Sequence, residues 1–333
     1  MKRILTGITT TGIPHLGNYA GAIRPAIQAS LQPNTQSFFF LADYHALIKC
    51  DEPARVAQSR LEIASSWLAA GLDPDHVTLY RQSDIPEIQE LNWILSCVTA
   101  KGLMNRAHAY KAAVDQNNKL EHDVDDGISM GLYSYPVLMA ADILLFNANT
   151  VPVGYDQIQH IQMARDIAQR FNHVYGQHFD LPEAQVSTVA DVLPGLDGRK
   201  MSKSYNNTIP LFAGGSKALK KNVMRIVTDS LLPGEPKDAL NSNVYKIYRA
   251  FSTDDEAQAF KDSLDNGLGW GDAKKDLVAL LERELSPMRD KYEYYMAAPS
   301  KVRDILLAGA SRARNLVSER VQKIREAVGL YDI

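Results

Sequence analysis

The sequence predicts an α/β domain built on a parallel sheet, followed by a helical domain. Three observations carry this reading. Short apolar runs alternate with helix-like segments up to about Pro210. One of those runs, Ser37 to Asp43, is apolar without alternation, as suits a strand covered on both faces. Beyond Pro210 the strand signal fades, and helical patterns dominate from Gly215 to Gly329.

The elements follow in order. Ile4 and Leu5 read as a first strand, followed by a glycine-marked turn and a helix from about Asn18 to Ser30. Asp51, Glu52 and Pro53 open a helix that runs to about Ala70, where Gly71 stops it. Val77 to Arg81 is the next strand, and Pro86 starts a helix toward Ala100. Leu103 to Leu120 looks helical, while the acidic run Glu121 to Asp126 reads as a loop. Tyr135 to Phe146 is a buried element whose type the periodicity leaves open. Thr150 to Val153 reads as a strand. Asp156 to Phe171 is an amphipathic helix, with Ile158, Ile161, Ala164, Ala168 and Phe171 at helical spacing. Gln185 to Ser187 is a last strand before the Gly195–Gly198 turn. The helical half breaks near Pro233 and Pro236, at Gly267 to Gly271, and at Pro299.

Composition narrows the function classes. A chain of 333 residues exceeds the size at which one core stops growing, so two domains are expected. No apolar run reaches bilayer-spanning length; Tyr135 to Phe146 is interrupted by Asp142. The start, MKRILTGITTTG, turns polar too soon for a signal peptide. Two cysteines, Cys50 and Cys97, suit a reduced, cytoplasmic compartment and cannot make a structural zinc site alone. A formal net charge of -3 argues against nonspecific coating of nucleic acid, yet permits basic patches that read one folded RNA.

Two segments carry chemistry. Thr9 to Ala22, rich in glycine, follows the first strand and opens a helix, where ligands of α/β sheets bind. Its spacing is neither the dinucleotide pattern nor the Walker pattern. His15 and Asn18 either contact a nucleotide or simply cap the helix. The second segment, Gly198 to Ser204, contains KMSKS in full. Two lysines three residues apart can surround a polyanion, and serine hydroxyls add donors. The plainer alternative is a solvated basic linker. Between the segments, Asp142 is a lone acid in apolar sequence, suited either to an indole N–H or to a turn or an arginine. Asp156 and His160 lie one helical turn apart, but no third and fourth ligand accompany them as a metal site requires.

Pro14-His15-Leu16-Gly17-Asn18, KMSKS, Tyr135-Pro136-Val137-Leu138-Met139-Ala140-Ala141-Asp142 and Val151-Pro152-Val153-Gly154-Tyr155-Asp156-Gln157 together resemble the bacterial tryptophanyl group of class I aminoacyl-tRNA synthetases. The resemblance covers most of the chain and is strongest from Thr6 to Ser204. It implies a Rossmann-like catalytic domain over residues 1–205, with a helical insertion around 103–135 and the lysine loop at 200–204. Residues 206–333 become a helical anticodon-recognition domain whose last helices fold back on the first. It implies ATP contacts by Thr9, Gly12, His15, Gly17, Asn18, Gly154, Asp156, Lys200, Met201 and Lys203. It implies a tryptophan pocket of Leu5, His45, Tyr135, Met139, Asp142, Val151, Val153 and Gln157, with His45 facing the substrate carboxylate. Catalysis falls to Lys200 and Lys203, with Ser202, Ser204 and Lys111 in support. Magnesium is expected on the ATP phosphates, no zinc is expected, and the partners are tRNA(Trp) and a second subunit.

The chain departs from the pattern at several positions. Leu5 and Thr9 stand where phenylalanine and glutamine are usual, Tyr155 where glutamate is, and the Lys111 segment lacks a second lysine at Ala113. A tyrosyl-tRNA synthetase, a small-metabolite nucleotidyltransferase, and a noncatalytic synthetase-like RNA-binding protein are the rival readings. Lys217, Lys220, Lys221 and Arg225, and the C-terminal Arg312, Arg314, Arg320 and Arg325, are each either RNA-facing or ordinary helix faces.

Overall fold

The computed structural model describes residues 1–186 and 193–331; Ser187 and the Asp156 side chain lie outside the described residues. Five parallel strands, β1 (Lys2–Thr9), β2 (Thr35–Ala42), β3 (Thr78–Arg81), β4 (Thr150–Val153) and β5 (Glu183–Val186), form one sheet in the order β3-β2-β1-β4-β5. The chain winds outward from β1 in one direction to β3, then crosses to the other side for β4 and β5. The direction therefore reverses between β1 and β4, and open α/β sheets bind ligands at the carboxyl end of such a reversal.

The crossovers are helical. After β1 come α1 (Leu16–Asn18), a wide π turn (Tyr19–Ile23) and α2 (Arg24–Ser30). The sequence predicts one regular helix here. Pro25 has no N–H to give the Gly21 carbonyl, and the backbone N–H of Arg24 bonds the Tyr19 carbonyl five residues back instead. Next come α3 (Asp43–Ala46) and α4 (Pro53–Ala69), then α5 (Pro86–Val98), α6 (Lys101–Met104), α7 (His108–Lys119) and α8 (Met130–Leu145) between β3 and β4, and α9 (Ile158–Tyr175) before β5. The single helix expected over Leu103 to Leu120 breaks at Asn105 to Ala107. There the Gln159 side chain donates to the Arg106 carbonyl at 2.9 Å and accepts from the His108 N–H at 2.9 Å, capping α7 from a distant element. The undecided element at Tyr135 to Phe146 is α8. It is buried nearly all round, so no amphipathic stripe marks it.

Residues of β2 alternate between two cores. Phe39 and Leu41 face α2, α4 and the later helices; Phe38 and Phe40 face α5, α8 and α9. The Trp67 ring meets Phe39 edge-on at 4.9 Å, and Phe40 stacks on Tyr80 at 5.8 Å. This double coverage accounts for the unbroken apolar run of that strand.

The helical half comprises α10 (Gly215–Val223), α11 (Asn243–Phe251), α12 (Asp254–Asp265), α13 (Trp270–Ala297) and α14 (Pro299–Ala327). α13 packs on α4, and α14 runs across β3, the edge strand. Val302 and Leu306 of α14 join one core, and Ala310, Ala313 and Val317 join the other, so this helix wraps the sheet edge. Gly309 marks the crossing: a Cβ there would lie 1.7 Å from the Leu79 carbonyl oxygen. Three arginines of α14 secure the contact. Arg312 donates to the Pro74 and Val77 carbonyls at 2.6 and 3.2 Å, Arg314 pairs with Glu87 at 2.9 Å, and Arg325 with Glu90 at 2.6 Å. These side chains, open to either reading from sequence, are engaged within the chain. Lys217, Lys220, Lys221 and Arg225 are all exposed.

Candidate functional site

Four strands deliver functional side chains at their carboxyl ends. β1 leads to His15, β2 to Asp43 and His45, β3 to Gln82, and β4 to Gly154 and Gln157. Asp142 reaches the same end from α8. On that helix Tyr135, Met139 and Asp142 fall at helical spacing on one face.

Asp142 is fully buried. Gln82 donates to both its oxygens at 2.9 Å, and His45 Nε2 lies 2.9 Å from Oδ2. Burial pushes the Asp142 carboxyl above its usual range, and the bonds from His45 and Gln82 oppose that shift. Neither the turn nor the arginine weighed from sequence is its partner. His45, expected to face the substrate carboxylate, also has its Nε2 at Asp142. Oδ1 accepts one bond in this arrangement, leaving capacity for another donor. The Gln82 amide is itself oriented, because its oxygen accepts the Tyr44 N–H at 3.1 Å. Beside it Asp43, buried, accepts from the Ser83 N–H at 3.0 Å, the Ser83 hydroxyl at 2.6 Å and Arg60 at 3.3 Å. Tyr135 Oη lies 2.5 Å from His160 Nε2. Leu5 and Val151 are buried in the adjoining core, with Met139 and Val153 packed against it.

The glycine-rich segment and the lysine loop meet. The His15 N–H donates to the Asn18 side-chain oxygen at 3.1 Å, and the Asn18 N–H donates to His15 Nδ1 at 3.3 Å. Capping is therefore real here. With Nδ1 accepting, the proton of the neutral ring belongs on Nε2, which leaves a donor available. Burial first, and the charge of Lys203 second, lower the His15 pKa to about 4, so the ring is neutral at ordinary pH. The segment is zipped to the chain just past the lysine loop: Leu16 N–H bonds the Ile209 carbonyl and Leu211 N–H bonds the Pro14 carbonyl, both at 3.0 Å.

Lys203 lies directly on Gly12, where a Cβ would be 3.0 Å from its Nζ. The residue retains exposed surface, yet its ammonium is crowded by this contact and faces the Arg55–Glu62 pair. Desolvation, then the charge of Arg55, lower its pKa to about 8; Glu62 opposes. The Gly17 N–H points at Met201 Sδ, 3.4 Å away. Lys200, Ser202 and Ser204 are at least partly exposed, with the two hydroxyls 2.7 Å apart. Thr9 is exposed at the last rung of β1, and Gly154 is exposed at the start of the short turn Tyr155–Gln157. Lys111 is exposed on α7.

Two residues that motif reading misses organise the site. Gln82 holds Asp142 across 60 positions of sequence. Buried Asn207 pins the lysine loop: it accepts the Ser202 N–H at 2.8 Å and donates to Asp197 at 2.7 Å and to the Lys200 carbonyl at 3.1 Å. The position of Gln82 just past a strand end was a usable signal; Asn207 lies beyond the motif and had none.

A sheet reversal facing a glycine segment, with a lysine loop resting on that segment, is the architecture of a class I synthetase. The family described as tRNA synthetases class I (W and Y) matches residues 1–286, and the chain belongs to it. It is 68% identical to a tryptophan–tRNA ligase of Bordetella parapertussis over 329 residues, covering 98% of this chain and 73% of that one. It is 57% identical to the tryptophan–tRNA ligase of Neisseria meningitidis over 330 residues, covering 99% and 98%. The crystal structure of a Campylobacter jejuni tryptophanyl-tRNA synthetase complexed with ADP and tryptophan superposes with a TM-score of 0.89 at 42% identity, covering 98% of this chain and all of that one.

Proposed function

We propose that this chain is a tryptophan–tRNA ligase. One oxygen of the tryptophan carboxylate attacks the α-phosphorus of ATP. The bond to the β-phosphate oxygen breaks, and pyrophosphate leaves. The terminal ribose hydroxyl of the tRNA then attacks the acyl carbon of the mixed anhydride, and AMP leaves. A carboxylate is already a nucleophile, so the first step needs positioning and charge stabilisation more than a base.

The observation that carries the reading is the contact of Lys203 with Gly12. It sets a cation over the segment where a triphosphate would lie against glycine backbone. Lys203 is the principal cation for the departing pyrophosphate, with Lys200, Ser202, Ser204 and Lys111 in support. His15, Gly17 and Asn18, with Thr9, Gly12, Gly154, Asp156 and Met201, hold the nucleotide. Asp142 accepts the indole N–H, with Leu5, Tyr135, Met139, Val151 and Val153 as apolar walls. Gln157 contacts the ammonium, and His45 acts through Asp142. Among the described residues no group of three or more metal-ligating side chains clusters. A magnesium ion would be held mainly by the phosphates and would neutralise their charge.

We further assign residues 1–205 to catalysis and 206–333 to anticodon recognition, with Lys217, Lys220, Lys221 and Arg225 facing RNA. The active form is a cytoplasmic homodimer. No described helix is long and apolar enough to cross a membrane. ATP–pyrophosphate exchange with each standard amino acid tests the reading. Exchange with tryptophan alone is expected. Exchange with tyrosine overturns the specificity, and none with any amino acid, with or without tRNA, overturns the activity.

A further inference from the structure

A cavity of about 360 Å³ opens at the other end of the sheet. Arg3 and Gln36, paired rungs near the amino ends of β1 and β2, form one wall. α14 and the last residues of α8 form the others. Thr9, at the carboxyl end of β1, is six residues further on, which places the nucleotide segment roughly 20 Å away.

Its electrostatics are unbalanced. Arg3, Arg320 and Lys323 line it against one carboxylate, Glu319, which Lys323 already engages at 2.6 Å. Arg320 donates to the His178 carbonyl at 3.1 Å, and Arg3 reaches the Phe146 carbonyl at 3.4 Å. Among the described residues neither arginine has a carboxylate within ion-pair distance. Burial, then the charge of Arg3, disfavour the charged form of Arg320, and only Asp180 opposes. Asp180 is itself held through its backbone N–H and its carboxylate by the side chain of Asn147. Two guanidiniums sharing a half-buried space repel one another unless an anion lies between them. Phe38 and Phe146 lie beneath it, ring centroids 4.6 Å apart and both nearly fully buried, and Leu316 is its exposed apolar wall.

We propose that this cavity binds a small phosphate monoester, its phosphate bridging Arg3 and Arg320 and its apolar body lying against Leu316. Guanidinium forks match phosphate oxygens, two of them match a dianion, and the volume is that of a small-ligand site. The site owes nothing to the synthetase reading and stands or falls separately from it.

Phenyl phosphate is the probe, titrated calorimetrically into the full chain with a nonhydrolysable ATP analogue filling the nucleotide site. One saturable site per chain is expected. Arg3→Gln should weaken it at least about tenfold, and Arg320→Lys, which keeps charge but loses the fork, about threefold or more. Inorganic phosphate, lacking the apolar body, should bind at least about tenfold more weakly. Arg3 stands at the start of a strand, and a melting curve establishes that Arg3→Gln is folded. The proposal is overturned by absence of saturation up to about 10 mM, by displacement with the analogue, by unchanged affinity in folded Arg3→Gln, or by equal affinity for inorganic phosphate.

Discussion

The surroundings of Asp142 and of Lys203 are built in opposite ways. At Asp142 every neighbour is already in place: a buried carboxylate, an amide oriented from behind by backbone, and an imidazole on the remaining side. At Lys203 a partly exposed cation rests on a glycine and faces another cation, with its carboxylate neighbour Glu62 shared with Arg55. Recognition of a neutral indole demands a partner fixed before the ligand arrives, because an unpaired buried charge is costly. Stabilising a leaving polyanion demands the reverse, a charge without a fixed partner until the transition state supplies one. The family resemblance assigns one group to selection and the other to rate, and the proposed roles rest on that difference of environment.

The largest expected effect comes from removing the available charge. Lys203→Ala should lower kcat for tryptophan-dependent exchange by about 10²–10³, while tryptophan affinity by equilibrium dialysis changes less than about threefold. Equal losses in both would erase the contrast. The converse substitution is Asp142→Ala, which strands Gln82 and His45. Tryptophan KM should rise about 10–100-fold and stability fall by about 1–3 kcal/mol in urea unfolding, with the KM for ATP nearly unchanged. Next is Asn207→Ala, which frees the Ser202 N–H and the Lys200 carbonyl. It should reduce kcat/KM for ATP by about tenfold and leave tryptophan binding alone. A change in tryptophan binding instead would mean that Asn207 supports the whole site rather than the loop.

The smallest effect is a pH dependence. Lys203 must be protonated to act, and its pKa is lowered to about 8. Its charge is therefore lost as pH rises through that value, sooner than for an ordinary lysine. In the free enzyme kcat/KM for ATP should fall about twofold from pH 7 to 8, about fivefold from pH 8 to 9, and approach tenfold per unit above that. Lys203→Arg should remove that limb. His15, lowered to about 4, is neutral throughout and should add none.

Much of this was legible in sequence, and the reasons are local. β2 announces itself because both faces are buried, and α9 because only one is. The glycine segment and KMSKS are contiguous, so their meeting could be anticipated from the resemblance. What escaped depends on contacts made across the chain. α8 lacks a polar face, so its type was undecidable. Gln82 finds Asp142 only after the turn following β3 is brought against α8. The cap of α7 by Gln159 spans 51 residues. The partners of the α14 arginines are carbonyls and glutamates of an earlier part of the chain, invisible to charge counting.

The crossing of α14 over β3 at Gly309 has a consequence during synthesis. The ribosome completes β3 at Arg81, but α14 begins only at Pro299. At about 5–20 residues per second, roughly 10–40 s separate the two events. Throughout that interval the outermost strand has no cover, and a bare edge invites pairing with another nascent chain. The helix that seals it is made long after the strand it covers. A ribosome stalled short of Pro299 would therefore display an adhesive sheet, and chaperone demand should peak before α14 emerges and collapse once Gly309 seats against Leu79.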